Sequence, residues 1–237
     1  MTGAVELGPR LRALAERVLP GRPVADLCCD HAKLSAALVG EGRVPRAIAA
    51  DVHPDPLVGA AALIAALGLG DRVALREGDG ARVLAAGEVA TVVIAGVGAP
   101  LAERIVAEGE AGGHLRGVER LLVQANHGFP KLGELRAGLD ALGWGIADEA
   151  LVRDQGRLYP ILVCAPGGGR LRDPIDRELG PILRQRLDPL ADAWFERERA
   201  RVSRALAGMD AGTREPALRA HYQAFLAAID GLAGAAN

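Results

Sequence analysis

Hydrophobic positions follow two different spacings in turn along the chain. Leu11, Leu14, Val18 and Leu19 recur at helical intervals and predict an amphipathic helix over residues 8 to 19, which Pro20-Gly21 ends. Short apolar runs predict strands at residues 24–28, 46–52, 73–76, 89–95 and 121–124. Amphipathic segments predict the helices that follow them, at residues 32–39, 56–67, after 96–100 and at 131–142.

Two further strands follow this alternating part of the chain. Residues 144–152 and 158–164 are joined by a polar, glycine-containing turn at 153–157, which is typical of an antiparallel hairpin. A strand-helix unit repeated five times and then a hairpin predicts an α/β fold. We expect a Rossmann-like, doubly wound sheet whose last strand is antiparallel and forms its edge.

A glycine-rich joint divides the predicted fold. Residues 166–169 read Pro-Gly-Gly-Gly, and the composition changes after them. We therefore expect a sheet domain over residues 1–166 and a helical domain over residues 170–237. Helices are predicted there at 181–187, 189–207 and 215–232, of which the last two form a hairpin joined near 208–212. Since such a hairpin can hardly bury a core alone, it packs on the sheet domain or protrudes as an arm.

The composition predicts a folded chain with a real core. Hydrophobic residues make up 50% and aromatic residues 3% of the 237 residues, so the core is expected to consist of Ala, Leu, Val and Ile. The net charge of −2 does not indicate a nucleic-acid binder, although a local basic patch matters more than the sum. We expect no signal peptide and no membrane span, because no apolar run reaches roughly 18 residues.

The cysteines and histidines do not indicate a metal site or a disulfide framework. Cys28 and Cys29 are adjacent and Cys164 is far away, which is not the spacing of zinc ligands. We therefore expect a reduced, cytoplasmic protein without a metal, as a monomer or a weak homodimer.

The stretch from Val24 to Ala32 indicates a cofactor site. It reads as a buried strand, a tight acidic turn and the start of a helix, with Asp30 where an N-cap is expected. Such strand-turn-helix units bind nucleotide-like cofactors in α/β folds. The turn lacks the G-x-G-x-x-G fingerprint of dinucleotide enzymes, and its acids Asp26 and Asp30 suit a ligand with hydroxyls and positive charge, such as S-adenosylmethionine.

Two more acids follow predicted strands, and each has two interpretations. Asp51 stands at the end of the second strand, about 20 residues after the first turn, where these folds bind ribose hydroxyls. It could equally be a turn residue or a helix cap before Pro54. Asp79, between Gly78 and Gly80, could accept from the amino group of an adenine, or belong to a glycine-rich turn that caps the next helix.

Histidine and arginine positions also leave alternatives open. His31 is either catalytic or a first-turn residue that hydrogen-bonds local backbone, and His127 either lines a pocket or lies in a loop. Arg197, Arg201 and Arg204 share one helical face by their i, i+4, i+7 spacing. That face is either a basic ridge for RNA phosphates or a solvated face with intrahelical ion pairs.

Several segments together resemble the TrmK-type bacterial tRNA (adenine-N1)-methyltransferases, a family with the class I methyltransferase layout. They are Ala25-Asp26-Leu27-x-x-Asp30-His31-Ala32, Gly78-Asp79-Gly80, Ile94-Ala95-Gly96-Val97-Gly98, Leu122-Val123-Gln124-Ala125-Asn126 and Gly156-Arg157-Leu158-Tyr159. Leu179-Gly180-Pro181 and the helical tail with Trp194 are also similar to that family. The resemblance runs in order over nearly the whole chain.

The resemblance implies S-adenosylmethionine as methyl donor, N1 of adenine 22 in tRNA as acceptor, and a coiled-coil-like helical extension that serves as a tRNA-binding arm. Asp30 and Asn126 are then the catalytic candidates. The cofactor-binding candidates are Asp26, Cys28, Asp30, His31, Asp51, Val52, Asp79, Gly80, Ala95 and Gly96. The substrate-binding candidates are Gln124, His127, Arg197, Arg201 and Arg204.

The chain departs from the family pattern at three places. The family has Gly-Ser where this chain has Cys28-Cys29, a Pro at Ala125, and Gly-Met-Gly-Gly at residues 96–99. A Cβ at position 28 approaches the cofactor site, and loss of the Pro changes how Asn126 is presented. Two alternatives therefore stand beside tRNA methylation: a methyltransferase with a different acceptor, and a non-catalytic homologue that binds S-adenosylmethionine or RNA.

Overall fold

The computed structural model describes residues 5–168, 171, 173–186, 189–209 and 216–235. Its strands are β1 (Val24–Leu27), β2 (Ala47–Asp51), β3 (Val73–Glu77), β4 (Thr91–Val97), β5 (Arg120–Ala125), β6 (Trp144–Asp154) and β7 (Arg157–Pro166). They form one seven-stranded sheet of order β3-β2-β1-β4-β5-β7-β6. Strands β1 to β5 are parallel, and β7 is antiparallel to both of its neighbours. The Rossmann-like fold with an antiparallel last strand is confirmed.

Helices cover both faces of the sheet. They are α1 (Pro9–Arg17), α2 (Lys33–Gly40), α3 (Pro54–Ala66), α4 (Ala99–Ala111), α5 (Lys131–Ala141), α6 (Pro174–Leu179), α7 (Pro189–Ala207) and α8 (Pro216–Ala235). Leu14 of α1, Leu38 of α2 and Ile64 of α3 belong to one hydrophobic cluster. Ile105 of α4 and Leu135 of α5 belong to a second. β1 is buried along its whole length between the two, which explains its unbroken apolar run.

Two expectations for the sheet domain are wrong in detail. β7 lies between β5 and β6, so the edge strand is β6 rather than the antiparallel one. The hairpin pattern fixes that β6 pairs with β7 but not which of the two reaches β5. The connection from β3 to β4 contains a 3₁₀ turn at Gly80–Val83 instead of an α-helix. Gly78, Gly80 and Gly87 all have positive φ in that connection, which interrupts a regular helix.

The expected N-cap at Asp30 is also wrong. Helix α2 begins at Lys33 and its N-cap is Ala32, whose φ of 53° is left-handed and which has no side-chain cap. Asp30 itself has φ 51° and lies in the turn before the helix. The turn between β1 and α2 is therefore longer than the pattern predicts, because the chain crosses the ends of the strands before α2 begins.

The C-terminal helices pack on the sheet domain. Trp194 and Val202 of α7 and Phe225 of α8 belong to the same hydrophobic cluster as the β5 residue Leu121. In place of the predicted helix at 181–187, the chain forms α6 and a 3₁₀ turn at Leu183–Gln185. The joint reaches residues 169–170 and the predicted α7–α8 loop reaches 210–212, which lie outside the described residues. The boundary between two domains stays a prediction.

Candidate active site

Three adjoining cavities lie along the edge of the sheet where the parallel strands end. The apolar cavity, of about 150 Å³, is lined by Cys28, Ala50, Val52, Gly78, Asp79, Gly80, Leu101, Arg104 and Ile105. The acidic cavity, of about 290 Å³, is lined by Arg10, Leu11, Asp26, Cys28, Cys29, Asp30, His31, Lys33, Leu34, Ala95, Gly96 and Val97. The aromatic cavity, of about 340 Å³, is lined by Arg10, Gly96, Ala125, Asn126, His127, Gly128, Arg157, Leu158, Tyr159, Pro160, Trp194 and Arg197.

Shared lining residues join the three cavities into a row. Cys28 lines the apolar and the acidic cavity. Arg10 and Gly96 line the acidic and the aromatic cavity. Two ligands bound in the outer cavities would therefore meet at the central one. This is the arrangement that group transfer between two bound molecules requires.

The turn after β1 is held against the end of β2. The amide of Cys29 donates to the Ala50 carbonyl at 2.9 Å, and the amide of Asp30 donates to Asp51 Oδ2 at 3.2 Å. Cys28, Asp30 and Ala32 all have φ between 51° and 61°, a region that favours glycine. The Cys28 side chain therefore occupies a strained backbone position, where the resembling family has Gly.

Asp26 is the buried acid of the acidic cavity. It is 4% exposed and accepts a hydrogen bond from Ser35 Oγ at 3.4 Å. Burial raises the pKa of the Asp26 carboxyl to about 7, and the nearby charge of Asp51 adds to the rise. The protonation state of a buried carboxyl with such a pKa changes strongly when a cationic ligand binds beside it.

Asp51 has the turn role that the sequence allowed, and its binding of ribose hydroxyls stays a prediction. Its Oδ1 accepts from the His53 amide at 3.1 Å and its Oδ2 from Asp30, so it organises the local turns. A carboxylate has about four acceptor positions, and these two bonds leave capacity for hydroxyl donors. It stands between Ala50 and Val52, which both line the apolar cavity.

Asp79 has a partner that the sequence did not reveal. Both of its carboxylate oxygens accept from Arg104 of α4, each at 2.9 Å. The hydrogen bonds with the Arg104 guanidinium lower the pKa of Asp79, which keeps it ionised. Gly80 has φ 57°, and a Cβ there would meet Ile105 at 2.9 Å, so the backbone approaches the cavity wall closely.

The acidic cavity also contains the exposed pair Asp30 and His31. The Asp30 side chain is 75% exposed, and its Oδ1 lies 3.5 Å from His31 Nε2. A Cβ on Gly59 of α3 would lie 2.8 Å from His31 Nδ1, so this glycine makes room for the imidazole. Asp30 lines the acidic cavity and not the aromatic one. Ala95 lines the same acidic cavity.

A ring of hydrogen bonds joins the acidic and the aromatic cavity. Gln124 Oε1 accepts from Arg10 Nη1 at 2.7 Å and from the Gly96 amide at 3.2 Å. Gln124 Nε2 donates to Asn126 Oδ1 at 3.0 Å, and Asn126 Nδ2 donates to the Gly96 carbonyl at 2.7 Å. Gln124 is fully buried and lines neither cavity, so the structure gives it a supporting place rather than a substrate contact. Asn126 is exposed in the aromatic cavity.

His127 supports the start of helix α4. Its Nδ1 accepts a hydrogen bond from the Ala99 amide at 2.9 Å, which satisfies one of the free amides of the helix N-terminus. The residue also lines the aromatic cavity. The imidazole thus links the end of β5 to α4 and forms part of the cavity wall.

The three arginines of α7 do not form one free ridge. Arg197 lines the aromatic cavity, lies 4.3 Å from the Trp194 ring and donates to the Leu158 carbonyl at 3.4 Å. Arg201 donates to the Phe129 carbonyl and to the buried Glu198. Arg204 is exposed and lines none of the three cavities. The shared face is therefore divided between cavity, loop and solvent, because α7 packs against the β5–α5 loop.

Four charged or aromatic residues that line the aromatic cavity were not among the candidates from the sequence. Tyr159 and Trp194 stood inside family-like segments that could have suggested them. Arg157 stood in the same family-like segment as Tyr159, but the pattern placed it in the hairpin turn, as an ordinary polar residue. Arg10 carried no signal at all, since the pattern of α1 indicates only packing.

Two further features are absent from the described residues. In this part of the chain, His, Cys, Asp and Glu side chains nowhere form a group of three that would hold a metal ion. None of the described helices has the length and the apolar character that crossing a membrane requires.

Comparison with known proteins identifies the family of the sheet domain. The model of the methyltransferase domain family matches residues 7–162. A tRNA (adenine(22)-N(1))-methyltransferase of Bacillus subtilis is 31% identical over 164 residues, which are 69% of this chain and 66% of that protein. The alignment thus spans slightly less than two thirds of this relative.

Solved structures resemble the whole described fold. Sp1610 of Streptococcus pneumoniae, described as a candidate tRNA (m1A22) methyltransferase, has a TM-score of 0.86 at 29% identity, covering 96% of this chain and 99% of that one. Its complex with S-adenosyl-L-methionine has a TM-score of 0.83 at 29% identity, covering 94% and 97%. The B. subtilis m1A22 tRNA methyltransferase TrmK has the same fold, with a TM-score of 0.86 at 23% identity over 96% and 99%. The chain belongs to the methyltransferase domain family, and its resemblance to the TrmK-type members is confirmed.

Proposed function

We propose that this protein transfers a methyl group from S-adenosylmethionine to N1 of an adenine in tRNA, at position 22. The Bacillus subtilis relative bears the name of that reaction, and Sp1610 is described as a candidate for it. The observation that carries the proposal is the row of cavities, in which Arg10 and Gly96 form a common wall of the acidic and aromatic cavities. A donor and an acceptor bound on either side of that wall are brought together without a further domain movement.

The residues present fit S-adenosylmethionine. The apolar cavity offers Val52, Leu101 and Ile105 to a flat base. Asp51 has free acceptor positions for ribose hydroxyls. The acidic cavity places Asp26 and Asp30 where a cationic methionine portion would be stabilised. We assign the remaining cofactor contacts to Cys28, His31, Asp79, Gly80, Ala95 and Gly96.

The chemistry asks little of the protein beyond alignment and charge. The cofactor supplies an electrophilic methyl group when it is bound. Adenine N1 has an in-plane lone pair and no proton, so no general base is required. Asn126 orients the base through its amide, and Asp30 stabilises the positive charge that the methylated ring acquires. Since N1 lies on the pairing edge, the adenine must enter the aromatic cavity unpaired, between Tyr159 and Trp194 in its wall.

Arginines from three separate elements supply the contacts to RNA in this proposal. Arg10 of α1, Arg157 at the start of β7 and Arg197 of α7 all line the aromatic cavity. Guanidinium groups bind phosphates by charge and by paired donors. The helices α7 and α8 extend this surface as a tRNA-binding arm, with Arg201 and Arg204 beside it. A protein with this substrate works in the cytoplasm, and we expect a monomer or a weak homodimer.

The test is methylation of unmodified tRNA transcripts that carry adenine 22. We expect 1-methyladenosine in the digested product by mass spectrometry, and none from transcripts with guanine at that position or from the Asn126→Ala variant. Calorimetry with S-adenosylmethionine is the companion measurement. Binding heat without any 1-methyladenosine would favour a different acceptor. Absence of binding heat would favour the non-catalytic homologue, for which the strained Cys28 is the supporting observation.

A further inference from the structure

We propose that Arg10 and Gln124 are positioning residues that fix the direction of the Asn126 amide, so that its carbonyl oxygen accepts from the exocyclic amino group of the target adenine. This inference rests on the proposed function and assigns how the acceptor base is recognised. The ring of hydrogen bonds through Arg10, Gln124, Asn126 and Gly96 carries it.

The first step is that the partners of Gln124 leave its amide one orientation. The Arg10 guanidinium and the Gly96 amide are donors only, and both lie within hydrogen-bond distance of the same side-chain atom, at 2.7 and 3.2 Å. That atom must therefore be the oxygen. Because Gln124 is fully buried, a reversed amide would face two donors with no water to relieve the conflict.

The second step transfers this direction to Asn126. Because the Gln124 oxygen accepts from Arg10 and Gly96, the NH₂ group of Gln124 points to Asn126. The Asn126 atom that lies 3.0 Å from this NH₂ group must therefore be the oxygen, which accepts. The other end of the Asn126 amide lies 2.7 Å from the Gly96 carbonyl, which only accepts, so that end must be the NH₂ group. The contact with Gln124 and the contact with Gly96 therefore require the same orientation of the Asn126 amide.

The third step concerns what the fixed amide offers to a base. One lone pair of Asn126 Oδ1 is used by Gln124, and the second remains free. An adenine presents an amino group at position 6, which donates to such a lone pair. Guanine and hypoxanthine present a carbonyl oxygen at the same place, which would face the Asn126 oxygen unfavourably. The polarity of the ring therefore selects adenine.

Arg10 donates to the ring from outside the sheet. It reaches Gln124 from helix α1, and its guanidinium lies 5.6 Å from the centre of the Tyr159 ring. Its hydrogen bond to Gln124 is charge-assisted, which makes it the strongest donor to that oxygen. Removal of Arg10 leaves the Gln124 oxygen with the longer bond from the Gly96 amide, so the direction of the Gln124 amide is less firmly set.

The experiment compares two tRNA substrates that differ only in the amino group. One carries adenine at the target position, and the other carries purine, which keeps the N1 lone pair and lacks the amino group. For the wild-type protein we expect kcat/KM for adenine to exceed that for purine about tenfold or more, the effect of one well-placed hydrogen bond. The ratio isolates recognition of the amino group from general losses of activity.

Three variants and one control test whether the ring causes this preference for adenine. Gln124→Glu keeps the acceptor for Arg10 but cannot donate to Asn126, so we expect the ratio to fall to about one to three, the value without a directed hydrogen bond. Arg10→Ala should lower the ratio at least threefold, and Arg10→Lys should restore part of it. Arg12→Ala is the matched control, because Arg12 lies on the same helix in an exposed ion pair with Glu41. Its ratio should equal the wild-type value.

Far-UV circular dichroism and thermal unfolding verify that each variant is folded. A wild-type ratio near one would overturn the inference. So would an unchanged ratio in Gln124→Glu and Arg10→Ala, even where their turnover falls. A wild-type protein that methylates neither substrate while binding the cofactor would instead overturn the proposed function, and this inference with it.

Discussion

Asp26 shows how one buried side chain makes the cofactor site sensitive to pH. Its carboxyl lines the acidic cavity with a pKa of about 7, raised chiefly by burial. Because the folded-state pKa lies above the usual value, folding favours the protonated form. The contribution of Asp26 to stability is therefore present at low pH, declines as pH rises from about 4 to about 7, and is constant above that.

The affinity for a cationic ligand should also depend on Asp26, but it should rise with pH where the contribution of Asp26 to stability falls. Above its pKa, Asp26 is a carboxylate and attracts a cationic ligand. We expect the dissociation constant of S-adenosylmethionine to fall up to about tenfold between pH 6 and pH 7.5. In this pH range the amino group of the ligand stays mostly protonated, so the change reports on Asp26. Calorimetry over this range measures the change. The Asp26→Asn variant should bind weakly at all these values, and equal pH dependence in both proteins would contradict the role of Asp26.

The loop after β5 is the element through which the C-terminal helices reach the site. Its backbone at Phe129 donates to Glu198 Oε2 at 3.1 Å and accepts from Arg201, both of α7. The Phe129 ring stacks on Phe225 of α8 at 3.9 Å. Glu198 is 2% exposed, so its carboxylate ties the loop to α7 from within the interface. Asn126 and His127 stand on the same loop, and its anchoring holds them in the aromatic cavity.

Removal of the Phe225 ring should loosen that loop without disturbing the cofactor cavities. We expect Phe225→Ala to lower the free energy of unfolding by about 3 kcal/mol, since it removes a buried aromatic side chain. The kcat of tRNA methylation should fall about tenfold, while the dissociation constant of S-adenosylmethionine stays within about threefold. Chemical denaturation, kinetics and calorimetry measure the three quantities. Gln223→Ala, at an exposed position of α8, is the control. A loss of cofactor affinity as large as the loss of kcat would speak against this assignment.

On the scale of the whole molecule, a buried ion pair connects the sheet to the segment after the joint. Arg136 of α5 and Glu149 of β6 are each 1% exposed and meet at 2.8 Å. Glu149 also accepts from the amides of Ile182 and Leu183 at 3.0 and 3.1 Å. Arg136 donates to the carbonyl of Glu178 at 3.1 Å. We therefore propose that residues 170–237 unfold together with the sheet rather than as a separate domain.

Unfolding of the Arg136→Met variant tests this connection. Removal of one partner leaves the Glu149 carboxylate buried and unpaired, so we expect a loss of about 3 to 5 kcal/mol in the free energy of unfolding. Lys131→Met, in the exposed pair with Glu134 on the same helix, should cost less than about 1 kcal/mol. Urea denaturation followed by far-UV circular dichroism should give one transition in each protein. A second transition, or a loss below about 1 kcal/mol for Arg136→Met, would argue for independent domains.

The row of cavities depends on the same global arrangement. β1 lies between β2 and β4, so the chain leaves the first turn in one direction for β2 and returns on the other side for β4. Open sheets bind their ligands in the crevice at such a point. The hairpin then inserts β7 beside β5, which brings the turn with Arg157 and the start of β7 to the edge that carries Asn126.

The sequence by itself determined what depends on neighbours along the chain. The periodicities located the strands and most of the helices, because burial of one face imposes its spacing on each element separately. The acids near the strand ends were also evident, since Asp26 lies within the first apolar run and Asp51 and Asp79 come at or after the ends of the next two. The acidic turn suggested the cofactor, and the resemblance added the TrmK-type family, the tRNA acceptor and Asn126.

Only the tertiary structure decided how distant residues meet. Arg10 and Gln124 are separated by 114 positions, yet they share a hydrogen bond at the wall between two cavities. Asp79 and Arg104 are also distant in the sequence and pair in the fold, and so are the β5–α5 loop and the α7 residues that bind it. A local pattern records whether a side chain is buried but not which partner buries it. The direction of the Asn126 amide is therefore set by contacts that only the folded chain brings together.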